Sequence, residues 1–218
     1  MLPKTKILLV DDHPLVREWL TNLINEEPDL EVCGSVSNAR EALGLIGTLL
    51  PRIVVVDISL DGGSGLELIK NVKTVHPQVD MVVLSMHDEM LYTERAMRAG
   101  AVGYVMKCDA TDKVLAAIRT VLQGGRYFSN TINATLAQKL VQGTGDQPTA
   151  IAALSDRELE VFQLLGRGYS TRQISEQMNV GFKTVHAYCA RIKEKLNLAN
   201  IHELFFHAIR WHESQQPR

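Results

Sequence analysis

The sequence predicts an α/β protein: a flavodoxin-like, doubly wound (βα)5 domain followed by a small all-α domain. Three observations predict it. Short apolar segments alternate with helical periodicity over the first 122 residues. Those segments are apolar on both faces, as strands of a helix-covered parallel sheet must be. After a small polar joint, four helix-start signals crowd into about 60 residues.

Each element has its own warrant. Residues 6–10 read as a strand and 14–25 as a helix with Pro14 at its first position, where the missing N–H costs nothing. Residues 30–36 and 38–49 give the next strand and helix. Ile53-Val54-Val55-Val56 is β-branched throughout and reads as a buried strand. A helix at 65–75, a strand at 81–85, a helix at 89–99, a strand at 103–106 and an amphipathic helix at 111–122 complete five βα units. Gln123-Gly124-Gly125 ends the region, and 130–142 has the pattern of one more helix. Gly143-Thr144-Gly145-Asp146-Gln147-Pro148 reads as a flexible joint. Beyond it, Ser155 with Glu158 and Ser170 with Gln173 form capping boxes. Gly181 is an acceptable N-cap, and Asn200 with Glu203 opens the last helix.

Composition excludes other classes. The 218 residues are 45% apolar and 22% charged, which argues against a disordered, collagenous or coiled-coil chain. No apolar run approaches the roughly 18 residues of a membrane span, and the stretch at 7–10 is too short for a signal-peptide core. Cys33, Cys108 and Cys189 lie far apart without a CxxC pair, which fits a reducing cytoplasm. Charge is uneven: residues 149–218 carry nine cationic and seven acidic side chains, whereas the first 148 are net acidic.

The chemistry of the first domain lies at its strand ends. Asp11 and Asp12 follow the first strand, Asp57 follows the third, Ser85 ends the fourth and Lys107 the fifth. In a doubly wound sheet all of these reach the carboxyl edge, where ligands bind. Clustered carboxylates need a cation, and oxygen donors at this charge density suit Mg²⁺. A carboxylate is also a competent nucleophile toward phosphorus, with a lysine and a hydroxyl to hold the other phosphoryl oxygens. Singly, each acid is more readily read as a turn former or cap, and Asp12 ahead of His13-Pro14 is placed to cap the first helix, but the coincidence of polar groups at four strand ends favours a shared site. His13, His76 and His87 are assigned surface or turn roles, because no pair has metal-ligand spacing.

Val10-Asp11-Asp12-His13, Val56-Asp57-Ile58, Leu84-Ser85-Met86-His87 and Gly103-Tyr104-Val105-Met106-Lys107 together resemble the receiver domain of two-component response regulators, over residues 4–122. The resemblance implies that Asp57 accepts a phosphoryl group from a sensor histidine kinase. It implies that Asp12 binds Mg²⁺ directly and Asp11 through water, with Asp57 and the Ser59 carbonyl completing the protein ligands. Ser85 and Lys107 would hold phosphoryl oxygens, and Tyr104 would be the aromatic that swings inward on activation. Two departures stand out: Leu60-Asp61 replaces the frequent Met-Pro and adds a carboxylate, and Ser85 replaces the commoner Thr.

In the second domain, helices at 170–178 and 181–196 joined by a short turn read as a helix-turn-helix. On the second of them Val185, Cys189, Ile192 and Leu196 form the buried stripe. Lys183, Thr184, His186, Ala187, Ala190, Arg191, Lys193 and Lys195 are the candidate DNA contacts. Residues 183–195 carry a net charge of three positive, and the two outward alanines let the helix approach bases closely. A solvated amphipathic helix would also carry lysines. Lys183-Thr184-Val185, Arg191-Ile192 and Lys195-Leu196 resemble the LuxR-type helix-turn-helix of the NarL/FixJ subfamily. The expected organisation is thus a receiver at 1–122, a linker at 123–149 and a DNA-binding domain at 150–218. On the last helix Phe206 and Ile209 are dimer candidates, or else are buried in their own domain.

The reading is a phosphorylation-activated DNA-binding transcription regulator rather than an enzyme, dimeric when phosphorylated and reading the major groove of double-stranded DNA. Three alternatives remain at this point: a DNA-binding regulator independent of phosphorylation, a phosphohydrolase with an Asp nucleophile, although no insertion supplies a substrate cap, and a regulator that acts by binding protein.

Overall fold

The computed structural model describes residues 3–60, 63–86, 89–134 and 150–215. Contacts divide the chain into two compact units, Met1–Val141 and Gln142–Arg218. Among the described residues no helix is long and apolar enough to cross a membrane.

In the first unit the strands β1 (Thr5–Val10), β2 (Leu30–Val36), β3 (Ile53–Val56), β6 (Asp80–Ser85) and β7 (Gly103–Met106) form one parallel sheet in the order β2-β1-β3-β6-β7. The helices are α1 (Pro14–Asn25), α2 (Ala39–Leu49), α3 (Gly65–Val75), α4 (Glu89–Ala99) and α5 (Ala110–Leu122). Every residue of β3 is buried, which is why its run of β-branched residues shows no alternation. Ile7, Leu9 and Val55 pack with Leu20 of α1 and Val114 and Ile118 of α5 to form one side of the core. The order of strands reverses between β1 and β3, and that is where a doubly wound sheet opens its crevice.

Two features are absent from the sequence reading. A short antiparallel hairpin, β4 (Ser59–Leu60) with β5 (Gly63–Ser64), lies between Asp57 and α3. Past α5, the chain returns to the free edge of the sheet. Tyr127 donates its N–H to Val102 O at 2.9 Å and accepts from Tyr104 N at 2.8 Å, bridging Gly103 in parallel. Phe128 and Ile132 are buried behind it, and Ser129 N donates to Glu89 Oε1 at the start of α4. This strap covers the edge of β7, and residues 130–134 then begin a helix. The rest of the helix expected at 130–142, and the joint at 143–148, lie outside the described residues. Tyr127→Pro removes one strap hydrogen bond and is expected to cost about 1–2 kcal/mol of first-unit stability, read by urea unfolding.

The second unit is all helical: α6 (Asp156–Gly166), α7 (Thr171–Gln177), α8 (Phe182–Lys195) and α9 (Ile201–Gln215). Both capping boxes form as the sequence predicts, at Ser155–Glu158 and Ser170–Gln173. Asn200 Oδ1 accepts from Glu203 N at 3.0 Å to open α9. Val185, Cys189 and Ile192 are buried, whereas Leu196, at the C-terminal end of the stripe, is only half-buried.

Candidate functional site

The sheet delivers its acids with little freedom. Asp57 donates its backbone N–H to Val10 O at 2.9 Å, and Asp11 donates its own to Val36 O at 3.1 Å. Each carboxylate therefore leaves a strand end that is already paired. Both are buried, at 3% and 4% exposure for Asp11 and Asp57. From the other side, Lys107 Nζ lies 2.7 Å from Asp57 Oδ2 and 2.7 Å from Asp11 Oδ2. Ser85, fully buried, hydrogen-bonds through its side chain to Asp57 and to Tyr104. Ser59 N donates a long 3.4 Å bond to Asp57 Oδ1. One oxygen or nitrogen each of Asp11, Asp12, His13 and Asp57 lie within 4.8 Å of one another.

The electrostatics of this pocket are unbalanced. Burial pushes the Asp57 carboxyl above its ordinary value against the pull of Lys107. Burial also works against the Lys107 ammonium, but Asp57 and Asp11 outweigh it and hold the lysine protonated. Burial raises the Tyr104 phenol, so it remains a neutral donor. Three carboxylates facing one ammonium leave about two negative charges in a space closed on several sides. Asp11 Oδ2 and Asp12 Oδ1 are buried and receive no well-aligned hydrogen bond, although Lys107 Nζ lies 2.7 Å from the first and His13 Nδ1 2.6 Å from the second. Such a set of oxygen donors fits a hard divalent cation that keeps waters, and Mg²⁺ is the ion of that type that pairs carboxylates with phosphate oxygens.

On the second unit, α8 presents a different surface. Lys183, His186, Ala187, Ala190 and Arg191 are exposed along it, opposite the buried stripe. The first turn has no acidic residue, and the N-cap Gly181 contributes no side chain. Arg191 lies over the Tyr188 ring at 5.1 Å, and its Nε donates to Ala187 O at 3.3 Å. Lys195, a candidate DNA contact from the sequence, donates to Glu158 Oε2 at 2.7 Å and to Ala153 O at 3.1 Å. The sequence reading treated that carboxylate only as half of a capping box.

Comparison with known proteins agrees with both surfaces. Residues 7–119 match the model for the response regulator receiver domain, and 152–208 match that for bacterial regulatory proteins of the luxR family. The chain is 31% identical over 210 residues to the oxygen regulatory protein NreC of Staphylococcus carnosus, covering 94% of this chain and 97% of NreC. It is 33% identical over 204 residues to the response regulator UvrY of Escherichia coli, covering 94% and 93%. The chain belongs to the LuxR-type response regulators. A LuxR-family two-component response regulator from Aurantimonas shares 33% identity over 63% of this chain and 99% of that one, with a TM-score of 0.59. RcsB of Salmonella typhimurium, at 22% identity, covers 96% of this chain and 98% of that one with a TM-score of 0.69, which is a likeness of fold.

This response regulator is accordingly a DNA-binding transcription regulator switched by phosphorylation. Asp11, Asp12, Asp57, Ser85, Tyr104 and Lys107 of the regulator come together at one sheet edge, with Ser59 beside Asp57. His13 is the residue that sequence reasoning missed. Its Nδ1 lies 2.6 Å from Asp12 Oδ1 and 3.2 Å from Asp11 Oδ1. The available signal was adjacency to two acids; a search for paired histidines passes over it. The N-cap of α1 is His13, without a side-chain cap bond, so Asp12 does not cap this helix and remains turned to the pocket group. Asp61 and His87 lie outside the described residues.

Proposed function

We propose that Asp57 is the phosphoacceptor, with a sensor histidine kinase as donor and Mg²⁺ as the cation. The observation that carries this reading is the meeting of Asp11, Asp12 and Asp57 with Lys107 at the crevice of the sheet. Asp11, Asp12, Asp57 and the Ser59 carbonyl would hold the metal. When bound, the ion neutralises charge on the transferring phosphoryl group. The protein's own groups do the rest. Lys107, 2.7 Å from Asp57 Oδ2, opposes the effect of burial on that carboxyl and would then pair with a phosphoryl oxygen. Ser85 donates to another, giving up its bond to Asp57. Because Ser85 also holds Tyr104, its change of partner reaches the edge strand β7, and phosphorylation shifts a population between two arrangements.

The output is α8 in the major groove of double-stranded DNA. Lys183, Arg191 and Lys193 would meet phosphates, and Thr184, His186, Ala187 and Ala190 would face base edges. Lys195 we place in the scaffold. A phosphorylated homodimer would set two such helices about one helical turn apart, and Phe206 and Ile209, 63% and 39% exposed on α9, are the apolar residues available for pairing.

The test uses the intact chain with acetyl phosphate and Mg²⁺. One base- and hydroxylamine-labile phosphoryl mass is expected, mapping to Asp57 and absent from Asp57→Asn, with tighter shifts of genomic fragments. A mass mapped elsewhere overturns the site. Equal DNA affinity of wild type and Asp57→Asn under phosphodonor would mean that the receiver is a dimerisation module alone.

A further inference from the structure

The recognition helix carries one residue that the phosphate-and-alanine picture leaves unused. Phe182, the first residue of α8, is 50% exposed. Isolated apolar residues on a surface are ordinary, but the setting of this one is specific. Its ring stands edge-on to the His186 imidazole, with centroids 4.4 Å apart and planes at 65°. The ring is thereby fixed in direction by a neighbour one turn along. Phe182, His186 and Ala190 follow at four-residue spacing, and all three are exposed. They form a ridge of low polarity up one edge of the helix, flanked by Lys183 and Lys193. Nothing acidic stands in the first turn, and Gly181 ahead of it has no side chain to obstruct an approach.

The chemistry that fits this ridge is found on one base. In the major groove thymine presents a C5 methyl group, and apolar side chains, phenylalanine among them, discriminate by packing on it. The N-terminal residues of a recognition helix are the ones that reach base edges. The net charge of three positive over residues 183–195 draws the same face toward an anionic duplex. We propose that Phe182 is a specificity-determining residue: its ring, steadied by His186, packs on the methyl group of a thymine in the operator. This rests on the assignment of α8 to DNA, and it adds the identity of a base that the helix prefers.

The experiment selects binding sites from random duplexes with the full chain treated with acetyl phosphate and Mg²⁺. Each thymine of the selected site is then replaced by deoxyuridine, which removes only the methyl group. Losing one buried methyl contact is expected to weaken wild-type binding about fourfold at one position. Phe182→Ala should bind the thymine duplex about fourfold more weakly and show no further loss with uracil there. Phe182 is exposed, so the variant retains its core, and Lys183→Ala serves as the control. If Lys183→Ala weakens all duplexes while Phe182→Ala matches wild type on both bases, the thymine contact is wrong and the DNA helix stands. If Phe182→Ala loses affinity equally for thymine and uracil duplexes and the uracil penalty persists, the ring touches something other than the methyl group, and the proposal falls. If neither variant alters binding, the assignment of α8 itself is overturned.

Discussion

Gly65→Ala is expected to unfold or misplace the phosphorylation site, although the change adds only a single methyl group. Gly65 opens α3, directly after the β4–β5 hairpin, and its N–H donates to Ile58 O at 2.7 Å. A Cβ built there would lie 1.9 Å from the carbonyl oxygen of Asp57, 2.8 Å from its carbonyl carbon and 3.0 Å from Ile58 Cα. All three are backbone atoms, so no rotamer change relieves the overlap. Either α3 withdraws from the sheet or the end of β3 shifts and takes Asp57 with it. The first route opens packing around Leu66 and Ile69, both buried; the second breaks the Lys107 pair. Overpacking of this kind costs about 1–3 kcal/mol where side chains can adapt, and more where they cannot, so a loss of about 3–4 kcal/mol is expected from the urea midpoint of the receiver unit at unchanged m-value. Phosphoryl uptake from acetyl phosphate should fall at least about tenfold, since misplacement of a reacting group by about 1 Å is worth that much or more. Wild-type stability with wild-type uptake would show that the close approach of Gly65 to Asp57 is not as described.

The contrast between Gly65 and Asp57 also marks how far the sequence could be read. Four of the five sheet strands are apolar on both faces, and a residue of chemical interest ends or directly follows each of them; local pattern is enough to locate Asp11, Asp57, Ser85 and Lys107. Capping boxes are legible for the same reason, because Ser155 and Glu158 are three residues apart. Features that depend on distant partners are not. The β4–β5 hairpin has two-residue strands, too short for any period. The strap at Tyr127 exists because β7, some twenty residues earlier, has a free edge to pair with. His13 escapes a rule about paired histidines, because its partners are the acids beside it in sequence. Lys195 has a helical position facing solvent, and only the fold brings Glu158, 37 residues away, beneath it.

That last contact makes Glu158→Ala the largest expected perturbation of the second unit. Glu158 is 2% exposed and serves two elements at once. Its Oε2 accepts from Ser155 N and from Lys195 Nζ, each at 2.7 Å, while Ser155 Oγ accepts from Glu158 N at 3.4 Å. One carboxylate therefore ties the start of α6 to the end of α8. Truncation removes a capping box, worth about 0.5–2 kcal/mol, and a charged hydrogen bond, worth about 1.5–3 kcal/mol. Lys195 is 38% exposed at its side chain and can rehydrate, so the full penalty of a stranded buried ion is avoided. A loss of about 2–4 kcal/mol is expected in chemical unfolding of this unit. The pH dependence has a definite sign. Burial would raise the Glu158 carboxyl, but Lys195 and Ser155 outweigh it and hold it below its ordinary value of 4.5. A depressed acid stabilises the fold above its unfolded value and loses that contribution as pH falls through the folded one. The advantage of wild type over Glu158→Gln should therefore be full at neutral pH and shrink below about pH 4.5. Lys195→Ala separates scaffold from contact. It should lower stability while leaving the dependence of DNA affinity on salt near wild type, whereas Lys183→Ala should reduce that slope by about 0.9 and leave unfolding unchanged. If Lys195→Ala instead reduces the salt slope as much as Lys183→Ala and unfolds like wild type, the ammonium belongs to a phosphate and the tie between α6 and α8 lies elsewhere.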